Sequence, residues 1–310
     1  MMNFYIKIFM YRIKIIAKKL FYLLWGYFLI GSLFILKYFP SNIGLSFFSW
    51  LAKTFGPLIH RHQIALANLK AAYPEKTKEE LHTIAIEMWE NIGLFVAEYI
   101  FLDKIFDFDP HADQPGLIEV KGAEIFQRLK NEKKPHIFFT AHSGNFELLP
   151  ICAQSFGLNV TVLFRPPNNP YIAKRVLKAR QTSMGHLVPS KAGAAWALAA
   201  KLAEGKNVGM LVDQKFRRGI LGTFFNRPLK TNPLIIKLAR QYDCDIYPAR
   251  CIRLAGGRHR LELYESIKLP LDEKNEIDIA ASTQKLNDIV ESWVREYPGQ
   301  WTWLHRRWDN

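Results

Sequence analysis

The residues best able to do chemistry lie in one short run, AHSGNFELLP, from Ala141 to Pro150. His142 and Glu147 stand five positions apart, a spacing that on an unbroken helix turns two side chains about 140° from each other. They meet only if the chain bends between them, and Ser143-Gly144-Asn145 permits that bend. The apolar run HIFFT leads into His142, and a helical pattern follows (NFELLPICAQSF). The imidazole is therefore expected at the carboxyl end of a strand and Glu147 in the first helical turn, the edge at which open α/β sheets bind ligands. There the carboxylate would fix the imidazole tautomer while His142 takes a proton as general base. An isolated H-x-x-x-x-E pattern is more often structural, so the surrounding elements decide its meaning. Ser143 is assigned to the turn, since no G-x-S-x-G elbow surrounds it.

Those elements alternate. LIEVKG, HIFFTAH, NVTVLFR and NVGMLVD read as strands. AEIFQRLKNEK, NPYIAKRVLKARQTSM, AAWALAAKLAEG and NPLIIKLARQY read as helices. DIYPARCIRL and RHRLELYESIKL are expected to pair antiparallel across Gly256-Gly257, with a long helix from Asp278 leading to the tail QWTWLHRRW. This alternation predicts an α/β fold, a mixed sheet flanked by helices. Residues 57–116 form a helical entry segment, in which Thr77 and Glu80 make a capping-box pattern. Residues 57–310 are expected to form the main α/β domain and residues 1–56 a basic, hydrophobic anchor.

Composition narrows the partners. A net charge of +14 calls for something anionic: nucleic acid, acidic phospholipid, a phosphorylated substrate or an acidic carrier protein. No helix-turn-helix, zinc-finger or RNA-binding signature supports nucleic acid. Cys152, Cys244 and Cys251 lack any paired spacing and read as buried, reduced thiols. No metal is expected, because the histidines are scattered and no H-E-x-x-H occurs; no cofactor is expected, because there is no glycine-rich nucleotide loop. At the N-terminus, Lys7, Arg12, Lys14, Lys18 and Lys19 precede the uncharged stretch Leu20 to Leu36. At 1.5 Å per residue that stretch reaches roughly 25 Å, slightly short of a hydrocarbon core. With no small-residue cleavage site after it, the segment reads as a membrane-anchor helix that either spans or lies in the interface or re-enters the same leaflet, the reduced cysteines favouring the latter.

Taken with further blocks in order, the AHSGNFE element resembles the lipid A biosynthesis lauroyl/myristoyl acyltransferase family, within the lysophospholipid acyltransferase superfamily. Those blocks are FRPPNNP from Phe164, VGMLVDQKFRRGILGTFFNRP from Val208, DIYPAR from Asp245 and the tail QWTWLHRRW, with RHQIALANLKAAYPE upstream. The resemblance covers nearly the whole chain. It implies a glycerolipid acyltransferase-like fold and transfer of an acyl chain from acyl carrier protein to a hydroxyl of an anionic, phosphorylated lipid A precursor. It implies this at the cytoplasmic face of the inner membrane, with His142 as base and Glu147 orienting it. Arg165, in the second block, is implied as a phosphate ligand. Asp213 and Gln214 either line the acceptor site, or Asp213 holds Arg165. Lys215, Arg217 and Arg218 read as a basic loop for phosphate, anionic lipid or carrier protein, or as a merely solvated one. The amides around Ser143-Gly144 are one candidate for the oxyanion donor. Two alternatives stand beside this reading. One is an acyltransferase acting on a lysophospholipid, against which Glu147 and FRPPNNP lean. The other is a basic membrane-binding protein without catalysis.

Overall fold

Strands buried on both faces read as continuous apolar runs, and the centre of this fold is built from such runs. The computed structural model describes residues 2–109, 116–167, 169–174, 177, 186–190 and 193–308. Helices α1 (Met2–Leu36), α2 (Ser41–Phe55), α3 (His60–Ala72), α4 (Lys78–Glu98) and the short α5 (Leu102–Ile105) come first. Strand β1 (Ile118–Lys121), helix α6 (Ala123–Asn131), strand β2 (His136–Thr140), helix α7 (Leu148–Ser155) and strand β3 (Val160–Phe164) follow. After β4 (Leu187–Pro189) come α8 (Ala194–Ala203), β5 (Asn207–Leu211), β6 (Lys215–Phe224), β7 (Arg227–Thr231) and α9 (Leu234–Tyr242). The last elements are β8 (Asp245–Arg253), β9 (His259–Leu263) and α10 (Ile279–Glu296).

Seven strands form one mixed sheet in the order β1-β9-β8-β2-β5-β3-β4; only β8 and β9 pair antiparallel. One apolar cluster packs α3, α4, α8, α9 and α10 with strands of the sheet, and another packs α6 and α7. The expected α/β class, the mixed sheet flanked by helices and the β8–β9 hairpin are all present. Thr77 and Glu80 form the full capping box of α4, and Asp278 caps α10 through the amides of Ala280 and Ala281. Helix α2 lies so close to α4 that a Cβ on Gly93 would meet the Phe48 carbonyl oxygen at 2.3 Å. Glycine is required at that crossing.

Two details differ from the sequence reading. The basic loop at Lys215, Arg217 and Arg218 is instead the start of β6, which forms a two-stranded hairpin with β7. Its turn places Phe225 and Asn226 at φ 53° and 56°, a left-handed conformation unusual for phenylalanine. Burial of the Phe225 ring against Tyr73 and Trp303 offsets that strain. Helix α7 begins at Leu148, so Glu147 precedes it as the N-cap residue. The helix read over Asn169–Met184 falls largely outside the described residues. Its start is visible, where the Asn169 carboxamide oxygen accepts from Tyr171 N at 3.0 Å.

Helix α1 contains the apolar stretch expected of an anchor, but among the described residues no helix is long and apolar enough to cross a membrane. Its middle packs on the FRPPNNP block, where Asn169 donates to the Tyr22 carbonyl at 2.8 Å and Tyr27 meets Tyr171. Along α2, Ile43, Phe47 and Trp50 recur at helical spacing and are all exposed. Tyr38, Phe39, Phe55, Leu58 and Ile59 extend the exposed apolar surface on either side.

Candidate active site

Sheet register builds the site. Strands β2 and β5 are parallel neighbours with Thr140 opposite Leu211, and the pairing continues as Val212 N donates to the Thr140 carbonyl at 3.1 Å. Two residues beyond that register pair lie His142 on one chain and Asp213 on the other. The carboxylate is 4% exposed and entirely committed. Oδ1 accepts from His142 Nδ1 at 2.8 Å; Oδ2 accepts from the His142 amide at 2.9 Å and from the Trp301 indole Nε1 at 2.7 Å. Because an ionised carboxylate only accepts, Nδ1 carries the proton and Nε2 presents a lone pair. Asp213 thus holds His142 and makes no ion pair with Arg165.

Electrostatics follow from this packing. Burial pulls the His142 pKa down, but the charge and hydrogen bond of Asp213, with a smaller contribution from Glu147, outweigh it and leave the imidazole above its ordinary 6.5. Burial acts to raise the Asp213 pKa, yet the His142 charge and the three hydrogen bonds hold it far below the ordinary carboxylate range. The orienting role expected of Glu147 therefore falls to Asp213, while Glu147 acts on the ring through its charge.

The turn after His142 is pinned from three directions. Gly144 N donates to the Gln300 carbonyl at 3.0 Å, Thr302 N donates to the His142 carbonyl at 3.0 Å, and Ser143 bridges Trp301. Gly144 sits at φ +56°, and a Cβ there would meet the Cys251 carbonyl oxygen at 2.4 Å. The buried Asn145 donates to Glu98 on α4 at 2.8 Å. Burial alone would raise the Glu98 pKa, but His259 and Arg253 bring it down to about 2, so this anchor stays ionised. The Ser143 and Gly144 amides are therefore not available as oxyanion donors: Ser143 N donates to the Ala141 carbonyl at 2.8 Å and Gly144 N to Gln300.

Beside the dyad an apolar cleft of about 720 Å³, part of it open to solvent, runs beneath α7 across β2, β5 and β3. Among the described residues Glu147 is the only charged one in a lining that includes Phe138, Phe146, Ala153, Val162 and Met210. The apolar character of this lining suits a hydrocarbon chain. Arg165 follows β3 on the same sheet edge, one strand beyond Asp213; it is exposed and makes no ion pair among the described residues. Gln214 is exposed, with its carboxamide nitrogen 3.3 Å from His142 Nε2. Arg217 and Arg218 are exposed on β6, and Lys215 is half-buried there.

Comparisons with known proteins supply the family. The family model described as "Bacterial lipid A biosynthesis acyltransferase" matches residues 13–310. The chain belongs to this family. It is 24% identical to the lipid A biosynthesis myristoyltransferase of Escherichia coli K12, over 77% of this chain and 72% of that protein. It is likewise 24% identical to the lipid A biosynthesis lauroyltransferase of the same organism, over 80% of this chain and 78% of that one. A lipid A biosynthesis acyltransferase of Shigella flexneri matches at the same identity, over 77% and 72%. For this member of the lipid A acyltransferase family, the residue that sequence reasoning missed is Trp301. In the sequence the tail stands only as a block, and its one signal is an aromatic cluster with donor N–H groups. His305, in the same tail, is exposed and feels the charges of both Asp213 and His142.

Proposed function

We propose that the protein transfers a fatty acyl chain from acyl carrier protein to a hydroxyl of a Kdo-modified lipid IVA precursor, late in lipid A synthesis. The observation that carries this is the His142–Asp213 pair, whose imidazole packs against Phe146 in the lining of the apolar cleft. Neutral His142 takes the proton of the acceptor hydroxyl through Nε2. The oxygen attacks the thioester carbonyl, the tetrahedral intermediate collapses, and the carrier thiolate leaves with the proton returned by the imidazolium. A positioned base of this kind contributes about 10²–10⁴ in rate. The acyl chain lies in the cleft beneath α7 with Glu147 at its rim, so the carboxylate stands close to the reacting groups. Arg165, Arg217 and Arg218, with Lys215, supply positive charge for the acceptor phosphates and the acidic carrier.

The same reading places the protein on the cytoplasmic face of the inner membrane. Supporting it are the exposed apolar face of α2 and the basic residues Arg12, Lys14, Lys18 and Lys19 along α1. In a detergent assay with lauroyl-acyl carrier protein and Kdo-lipid IVA, wild type should form the acylated product and His142→Ala should lose at least about 10²-fold. A His142→Ala protein with full transfer activity would sink the assignment. Mass spectrometry of lipid A from cells lacking the protein reads chain length and position.

A further inference from the structure

Acyl transfer leaves a negative oxygen on the attacked carbon, and a partly desolvated site must supply a donor for it. The first three amides of the turn beside the imidazole do not. The amides of His142, Ser143 and Gly144 donate to the Asp213 carboxylate, the Ala141 carbonyl and the Gln300 carbonyl at 2.9, 2.8 and 3.0 Å. Three successive N–H groups thus face into the fold. The Ser143 side lines a separate small cavity with Arg250, Tyr297 and Gln300.

We propose that the carboxamide of Gln214 is the oxyanion donor; the proposal rests on the acyl-transfer reading of this site. Its nitrogen lies 3.3 Å from His142 Nε2, its one hydrogen bond among the described residues. Nδ1 holds the imidazole proton for Asp213, so Nε2 is an acceptor, and only the N–H side of the carboxamide can face it. The backbone behind Gln214 is fixed, because its neighbour Asp213 is clamped by three hydrogen bonds. The side chain itself is exposed and otherwise unengaged, free to rotate. In the free protein it occupies the place on Nε2 that an acceptor hydroxyl must take. When the hydroxyl arrives, the N–H is displaced outward by one group, toward the carbon under attack and its developing oxyanion. The adjacent Asp-Gln pair then divides the work: the buried Asp213 orients the base, and the exposed Gln214 stabilises the intermediate.

The test uses full-length Gln214→Ala and Gln214→Glu in detergent. Lauroyl-acyl carrier protein is the donor, and both transfer to Kdo-lipid IVA and hydrolysis without acceptor are measured. An exposed side chain leaves folding intact, which the melting temperature checks. The expected result is a loss of about 10²–10³-fold in kcat with KM for both substrates nearly unchanged. Hydrolysis should fall by the same factor, because water attack passes through the same oxyanion. A loss confined to the acceptor KM, with hydrolysis untouched, would make Gln214 an acceptor-binding residue and overturn the proposal. Faster hydrolysis in Gln214→Ala would overturn it too, by showing that the carboxamide merely covers the base. If water proves too poor a nucleophile to register, the split between kcat and acceptor KM makes the same decision. A wild-type protein that cleaves the thioester under neither condition would instead refute the acyl-transfer reading itself.

Discussion

Asparagine at position 213 removes one charge and keeps the shape, so Asp213→Asn isolates what the carboxylate does. In the native site both oxygens accept: Oδ1 from the imidazole, Oδ2 from the His142 amide and the Trp301 indole. A carboxamide has one oxygen. If that oxygen serves the two N–H groups, its NH₂ meets Nδ1, the imidazole proton moves to Nε2, and the base loses its lone pair. If the oxygen serves Nδ1, the NH₂ is set against two donors, at about 1–3 kcal/mol for each left unsatisfied. The first outcome costs about 10³–10⁴-fold in kcat, the scale at which an orienting carboxylate acts in hydrolytic triads. The second lowers the melting temperature.

The pH profile separates Asp213 from Glu147. His142 must be neutral to act, so activity falls as pH drops through its pKa, which the carboxylate raises above 6.5. With that charge gone, burial works unopposed by Asp213 and the acid limb of kcat/KM should move to lower pH. The assay is transfer from lauroyl-acyl carrier protein across pH 5 to 9. If Asp213→Asn stays within tenfold of wild type with an unmoved limb, while Glu147→Gln collapses, Glu147 is the orienting partner and the reasoning from geometry fails.

Three further outcomes are expected. Trp301→Phe keeps the ring but removes the donor on Asp213 Oδ2, and should reduce kcat about tenfold and stability by about 1–2 kcal/mol, read by chemical denaturation. Ala153→Leu projects a larger side chain into the cleft beneath α7, and should shift the preferred acyl chain to one shorter by about two carbons in a donor competition resolved by mass spectrometry. The double change Phe47→Asp with Trp50→Asp places two charges on the exposed face of α2. It should weaken sedimentation with anionic phospholipid vesicles while leaving activity on detergent-dispersed substrate near wild type.

Much of the fold was legible because its signals are local. The buried strands are apolar runs, Thr77 and Asp278 announce their helices, and Gly256-Gly257 marks the β8–β9 connection. His142 was legible for the same reason: a strand, a bend and a helix follow one another in ten residues. Its partner was not. Asp213 lies 71 residues away and reaches His142 only through parallel pairing of β2 with β5, which no local pattern specifies. The nearer carboxylate, Glu147, was the natural choice from spacing alone. The β6–β7 hairpin escaped because its turn joins Asn226 to Phe225, with no glycine to advertise the left-handed conformation, and because β6 opens with charged, exposed residues. Trp301 escaped because its contact with Asp213 is tertiary, across 88 residues.

That contact also sets an order in time. During synthesis β2 and the His142 turn leave the ribosome first; Asp213 follows 71 residues later behind β5, and the base can then find its carboxylate. Oδ2 still lacks the indole donor, and the Gly144 amide still lacks the Gln300 carbonyl, until the tail has cleared the exit tunnel. A nascent chain stalled before Gln300 would carry every residue assigned to proton transfer and still have a loose, underprotected catalytic turn. Competence therefore waits for Trp301, translated 88 residues after the carboxylate it holds.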